Sequence, residues 1–304
     1  MQKEFVSYYN ISNKELLYYS IKLVTSIFIY ALFLILLYLL FTLRSDTVGE
    51  NATIREIGMW LLAIILIVPL LHVIRTGWFT GMIKSNSVKI SDKQMPEIYS
   101  IITDLSRRLQ LKHIPDVYLL EAGGSLNAFA TKFMGHNYVV IFSDLLEAFY
   151  DNDNDAVEFV IAHELGHIKR NHLLKRLLLA PSIIIPFLSS AYNRGCEITC
   201  DNIGNYFNHK GAVNGLKMLA GGKALHRKIN TEEYMAQAYK DAGFWRWLVE
   251  IMSSHPSLYH RLNNVSRQNS SANQAPFNKA ELQSTIPEVE NEAIKEDYER
   301  FMPK

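Results

Sequence analysis

The sequence predicts a mainly α-helical chain with a small antiparallel β-sheet, preceded by a transmembrane helical hairpin. Three observations carry that prediction. Two long uncharged runs near the N-terminus are apolar all round, several later segments repeat apolar residues at helical spacing, and a few short runs around a glycine-rich stretch read as strands. At 304 residues, 49% hydrophobic and 20% charged, the chain can bury a core. A net charge of +1, from 31 basic against 30 acidic residues, leaves no electrostatic footprint for nucleic acid, and no basic stripe with interleaved aromatics exists.

Residues 1–22 read as an N-terminal segment on the cytoplasmic side. Residues 23–43 (LVTSIFIYALFLILLYLLFTL) then run without a charge and can cross a hydrocarbon core, which takes roughly 20 residues. The run starts too late and is too long for a secretory h-region, and no small-residue cleavage site follows it. After a short external loop at 44–57, residues 58–74 (GMWLLAIILIVPLLHVI) form a second run at the short limit of about 17 to 25 residues. A buried helix of a soluble domain is the competing reading of this second run. Two crossings bring both chain ends to one side. Lys3, Lys14 and Lys22 precede the hairpin and Arg75, Lys84, Lys89 and Lys93 follow it, whereas the loop mixes Arg44 and Arg55 with Asp46, Glu50 and Glu56. The positive-inside rule therefore places the C-terminal part in the cytoplasm.

Residues 75–92 read as a polar juxtamembrane linker and 93–265 as the folded domain. An amphipathic helix is expected over 96–111, with Ile98, Ile101, Ile102, Leu105 and Leu109 in register and Pro96 in its first turn. Strands are expected at 116–120 and 138–142, separated by glycine-marked turns around the apolar piece 127–131. A helix should begin near 153–155, where Asp155 and Glu158 have capping-box spacing. Helical sequence resumes after Arg194 and continues to about residue 262. Residues 266–304 are polar, then acidic, and read as a flexible tail. Two cysteines one helical turn apart make no disulfide framework, and thiols near a metal site fit a reducing compartment.

His163-Glu164-Leu165-Gly166-His167 is H-E-x-x-H. On a helix the two histidines lie about 40° apart around the axis, so both imidazoles can grip one metal ion, with Glu164 beside them. A catalytic zinc needs three protein ligands and an open position for water, whose proton the adjacent carboxylate accepts. Val157, Val160, Ile161, Leu165 and Ile168 supply a packing face for such a helix. His172 would be rotated about 140° from His167 on a continuing helix, which makes it a surface residue.

The stretch RGCEITCD, residues 194–201, offers two candidate sets for the third ligand. Glu197 and Asp201 share one helix face; Cys196 and Cys200 share another, about 100° round. Two thiolates would close the site as a structural zinc and leave Glu164 without a water to activate. With Glu197 as ligand the site stays open, and Asp201 can accept the free N–H of a zinc-bound histidine and fix its tautomer. This reading uses every residue. A mixed site with one cysteine remains open, because thiolate favours zinc.

HELGH followed by E-x-x-x-D, with NAFAT at 127–131 before it and HPSLYHRL at 255–262 after it, resembles the membrane-bound zinc peptidases of the HtpX and CAAX prenyl protease type. The likeness covers about residues 98–262. Cys200 stands where that family commonly has alanine. The resemblance implies a zincin-like metallopeptidase domain of the α+β kind, one Zn2+ per chain, and polypeptide substrates, membrane proteins among them. It implies an edge strand of Asn127, Ala128, Phe129 and Ala130 that hydrogen-bonds an extended substrate. It also implies that His255 and Arg261 lie near the site, steadying the oxyanion or an acidic group behind the ligands. An integral, multi-pass protein of a bacterial inner or cell membrane follows, acting in protein quality control on unfolded or damaged membrane proteins.

Residues 177–192 (LLLAPSIIIPFLSSAY) are also apolar, but cannot cross the membrane. His167 and Glu197 must meet at one ion, one crossing would separate them, and two crossings need roughly 40 residues, more than the interval holds. The segment is expected to be buried or to dip into the bilayer interface. Two other functions compete: processing of prenylated C-termini, which asks for a larger membrane chamber, and a non-catalytic zinc-stabilised membrane adaptor, which has no need of Glu164. The sequence leaves the oligomeric state undetermined.

Overall fold

The computed structural model describes residues 9–42, 50–124, 127–151, 153–240 and 243–272. The chain divides into two compact units, 1–265 and 266–304. Most of the tail expected at 266–304 lies outside the described residues; residues 266–272 belong to a helix, α11 (Leu258–Ala272).

The N-terminal hairpin comprises α1 (Asn13–Thr42) and α2 (Glu50–Asn86). Both are long and apolar enough to cross a membrane, and only 11% and 6% of their most apolar windows are buried inside the protein. That low burial argues against core helices of a soluble domain. Val24, Phe28 and Leu34 on α1, and Trp60, Leu66 and Val68 on α2, all point outward. Pro69 sits inside α2 without ending it, as membrane helices tolerate, and the Thr76 and Thr80 hydroxyls donate to the carbonyls of His72 and Thr76.

Two boundaries differ from expectation. The loop predicted at 44–57 is already helical from Glu50, and the linker predicted at 75–92 is helical to Asn86. At 37 residues α2 is about 55 Å long, more than a hydrocarbon core of about 30 Å requires. Its last turns do a second job: Ile83 packs on Tyr118, Tyr138 and Val140, and Phe79 meets the Phe129 ring at 5.8 Å. The rest of the supposed linker supplies β1 (Val88–Ile90).

β1 joins β2 (Asp116–Leu120), β3 (Ala128–Phe133) and β4 (His136–Phe142) in one sheet of order β1-β2-β4-β3. The sheet is mixed where a wholly antiparallel one was expected: β2 and β4 run parallel, Val117 opposite Val139. The physical reason is burial. Tyr138 to Ile141 is buried on both faces and takes a central place, as continuous apolar runs do, while β3, with Lys132, takes the edge. β3 and β4 turn over Met134 and Gly135, both at positive φ (46° and 87°), the type I′ geometry that favours glycine at its second position. One sheet face packs on the α2 end. The other, through Ile90, Val117, Val139 and Ile141, joins the helical core.

That core is built around α5 (Asn154–Lys169), between α3 (Pro96–Arg108), α4 (Ser143–Tyr150), α7 (Leu188–Phe207) and α8 (His209–Leu225). The capping box expected at Asp155 and Glu158 is not used. The helix begins at Asn154, and both carboxylates accept from the Asn208 side-chain amide, which starts α8 by accepting the Gly211 N–H. Asp153, ahead of α5, pairs with Arg227.

Residues 177–192 hold no helix long and apolar enough to cross a membrane. They comprise the end of α6 (His172–Leu178), a 3-10 turn at Ala180–Ile184 and the start of α7. Leu179, Ser182 and Leu188 are buried, whereas Ile183 and Ile184 are 75% and 73% exposed, so the segment is half core and half surface. It lies along α1: the Tyr30 hydroxyl donates to the Leu178 carbonyl, and Lys22 Nζ donates to Ser189 Oγ.

Candidate metal centre

α5 delivers His163, Glu164 and His167, all buried, and α7 delivers Glu197 and Asp201. The two imidazole rings are 5.1 Å apart. Their Nε2 atoms converge on one carboxylate: His163 Nε2 is 3.4 Å from Glu197 Oε2, and His167 Nε2 is 3.4 Å from Glu197 Oε1. Their Nδ1 atoms face other partners. His163 Nδ1 meets Asp201 Oδ1 at 2.9 Å, and His167 Nδ1 meets His172 Nδ1 at 3.0 Å.

Asp201 is gripped in turn by Arg261 of α11, Nε to Oδ2 at 2.8 Å and Nη2 to Oδ1 at 2.6 Å. Of the two placements the resemblance left for Arg261, its contact is with an acidic side chain, Asp201. His255 sits on the approach to the site, its ring 64% exposed, with Nδ1 3.1 Å from Glu197 Oε2. β3 occupies the sheet edge beside α5. Its Ala130 N–H acts on the Glu164 carboxylate. Asn127 Oδ1 accepts the Ala128 N–H, and the Phe129 ring is engaged by Phe79 and Phe142.

His172 is not the surface residue the helical wheel placed it as: it is 0% exposed. The wheel assumed a continuous helix. α5 ends at Lys169, and Asn171 adopts a left-handed conformation (φ 52°), which asparagine tolerates. That reversal starts α6 and folds His172 back onto His167. Its Nε2 lies 3.2 Å from Oε1 of Glu15, a residue of α1 that is 1% exposed. Glu15 carried no sequence signal beyond being an acid next to a membrane run.

The electrostatics are those of a crowded anionic pocket. Burial raises the Glu164 carboxyl above its ordinary range. Burial also opposes ionisation of Glu197, but hydrogen bonds with His163, His167 and His255 more than reverse it and hold that carboxyl well below its usual range. Asp201 is likewise lowered, against its burial, by Arg261 and His163. Burial disfavours charge on His163, yet Asp201 and Glu197 push it up to about 10. Burial pulls His172 down to about 4. Three carboxylates, Glu164, Glu197 and Asp201, are buried with Arg261 and the two imidazoles, and the convergent Nε2 and carboxylate donors suit a divalent cation. The donor set fits a zinc ion.

Cys200 also lies close enough to His163 and His167 to complete a three-donor cluster. Its direction argues against it. Sγ is 3.7 Å from His172 Nδ1, on the Nδ1 side of His167, while the Nε2 atoms point to Glu197. Burial raises its thiol well above the ordinary range. Glu15, His172 and Cys196 form a second such cluster, but Arg170 at 2.9 Å already neutralises Glu15, and burial lifts the Cys196 thiol to about 12.

The Peptidase family M48 profile matches residues 92–187, which include both histidines and end before Glu197. A Protease HtpX homolog of Helicobacter pylori (strain Shi470) is 23% identical over 279 residues, spanning 75% of this chain and 84% of that protein. Another, from Helicobacter acinonychis (strain Sheeba), is 24% identical over 224 residues, spanning 59% and 69%. The plastoglobule-localized metallopeptidase 48 of Arabidopsis thaliana is 24% identical over 171 residues, spanning 50% of this chain and 48% of its own. Among solved structures, the crystal structure of S. mikatae Ste24p overlaps 84% of this chain and 67% of its own at 15% identity, with a TM-score of 0.39.

Proposed function

We propose that this chain, which carries a peptidase M48 domain and resembles the HtpX-type proteases, is a membrane-anchored zinc endopeptidase that cuts unfolded or damaged membrane proteins. One observation supports it above the others: two imidazole Nε2 atoms converge on the Glu197 carboxylate, with Glu164 buried beside them. His163, His167 and Glu197 would hold one zinc ion per chain. Bound there, zinc supplies a Lewis acid that polarises a peptide carbonyl and lowers the pKa of water to about 7. Glu164, its carboxyl raised by burial, accepts the proton of the attacking water and returns it to the leaving amine. Asp201 holds His163 in the tautomer that bares Nε2, and Arg261 keeps Asp201 ionised.

β3 is an edge strand, and the backbone of Ala128 to Ala130 would pair with an extended substrate in exchange for the bonds that the Ala128 and Ala130 N–H groups make to Asn127 Oδ1 and Glu164. His255, exposed above Glu197, donates to the oxygen on which charge develops.

Membrane substrates are supported by what surrounds the cleft. The exposed Ile183, Ile184 and Phe187 lie along α1. Beyond them is α10 (Phe244–Met252), amphipathic, with Trp245 76% exposed and Phe244, Trp247 and Val249 also outward. Ser190 and Arg194 of α7 donate to its Met252 and Ile251 carbonyls, so α10 is tied beside that segment, and His255 follows it directly. Tryptophan-bearing amphipathic helices favour the membrane interface. The basic residues flanking the hairpin support a cleft on the cytoplasmic face, and this arrangement supports a cleft near the lipid surface.

The test is cleavage of an unfolded substrate by the purified full chain, with and without chelator, beside Glu164→Gln. Chelator-sensitive cleavage that the variant loses is expected. Equal cleavage by Glu164→Gln overturns the mechanism, and zinc binding with no cleavage by any form favours the adaptor.

A further inference from the structure

We infer that Glu15 and His172 are positioning residues for His167, so that the first turns of α1 are a working part of the peptidase centre. The inference rests on the proposed metal centre. A metal-binding imidazole needs its second ring nitrogen held by a partner that fixes the tautomer and the ring plane. For His163 that partner is Asp201, braced by Arg261. His167 has no carboxylate at its Nδ1; it has His172, 3.0 Å away.

The direction of these bonds follows from chemistry. Glu15 Oε1, 3.2 Å from His172 Nε2, can only accept when ionised, and Arg170 at 2.9 Å, with Lys175 at 4.0 Å, keeps it ionised. His172 Nε2 therefore carries the proton, and the Nδ1 of the neutral ring is left bare. That bare nitrogen accepts the His167 Nδ1–H, which leaves His167 Nε2 as a free lone pair facing Glu197. The chain His167→His172→Glu15 thus imposes on His167 the tautomer that Asp201 imposes on His163. Both of its outer members are fully buried, so water does not compete for these bonds.

The chain is built to bring Glu15 there. Gly195 lies on α7, two residues before Glu197, and a Cβ on it would stand 2.6 Å from Glu15 N and 2.8 Å from Glu15 Cα. Only glycine allows α1 to lie so close. The preceding residues are stitched to the same helix: the Ser12 N–H donates to Thr199 Oγ1, and the Asn202 amide donates to the Asn10 carbonyl.

The experiment uses the full chain in lipid nanodiscs. Zinc affinity by chelator competition, and melting temperature without metal, are measured for Glu15→Ala, Glu15→Gln, His172→Phe, His172→Gln and Glu197→Ala. Removal of a tautomer-fixing partner weakens metal binding about 10- to 100-fold. Glu15→Ala and His172→Phe are expected to fall in that range, and His172→Gln, whose amide can still bridge the two partners, is expected to recover part of the loss. Glu15→Gln, which still accepts a hydrogen bond, should lose less than Glu15→Ala. If all four bind zinc within twofold of wild type while Glu197→Ala loses it, the positioning role is overturned and the metal centre stands. If Glu197→Ala also keeps its zinc, the metal centre itself is refuted. A fall in metal-free melting temperature with unchanged affinity assigns Glu15 and His172 to packing alone and overturns the inference.

Discussion

α5 and α2 are both rich in apolar residues, yet one turns them inward and the other outward. From Ala156 to Ile168, α5 is buried at nearly every position, and its polar members are matched by groups on α7, α6 and β3. α2 leaves Trp60, Leu66, Val68 and Leu70 more than half exposed. The contrast separates two ways of satisfying an apolar helix. Protein around α5 supplies placed dipoles and charges, so ionisable groups can be held there at shifted pKa values. α2 instead leaves its apolar side chains outside the protein, as a helix that crosses hydrocarbon would, and Pro69 sits within it without ending it.

Four changes sharpen the contrast, in falling order of effect. Glu164→Gln removes the proton acceptor from the inward helix and should lower turnover by about 10²- to 10⁴-fold, with metal content unchanged by elemental analysis. Leu66→Arg puts a charge on the outward helix. In a bilayer it costs about 2.5 to 3.5 kcal/mol, on a water-facing helix no more than about 0.5. Reduced membrane integration, measured by alkaline extraction, is the expected outcome, and undiminished integration contradicts a lipid-facing α2.

Gly204→Val tests the protein-facing side, because a Cβ there would meet Phe159 Cδ2 at 2.7 Å and the Phe159 carbonyl oxygen at 3.0 Å. Overpacking of this kind costs about 1 to 3 kcal/mol and should appear as a lower melting temperature. Cys200→Ala, the smallest change, should cost about 1 kcal/mol and leave the metal in place.

The legible parts of the molecule were those where local pattern and final environment agree. H-E-x-x-H spacing put His163 and His167 on one helix face, and one turn between Glu197 and Asp201 let the first reach both Nε2 atoms and the second reach His163 Nδ1. The distance limit on residues 177–192 argued against a crossing, and that segment holds a short 3-10 turn between two helices rather than one long apolar helix. What was illegible depended on long-range contact or one unusual backbone angle. His172 was misplaced because a single left-handed Asn171 ends the helical phase. Glu15 reaches the centre across most of the chain, through a close approach at Gly195 that no local pattern announces. The parallel β2–β4 pair and the extension of α2 to Asn86 follow from which faces the sheet buries, a property of the assembled core.

The choice between Glu197 and Cys200 as third ligand is the point on which the chemistry turns. The most direct measurement is the electronic spectrum of the cobalt(II)-substituted full chain, compared with Cys200→Ala and Glu197→Ala. Two histidines and a carboxylate give visible ligand-field bands without a sulfur-to-cobalt charge-transfer band, unchanged in Cys200→Ala and lost in Glu197→Ala. An intense near-ultraviolet thiolate band that disappears in Cys200→Ala would contradict the assignment.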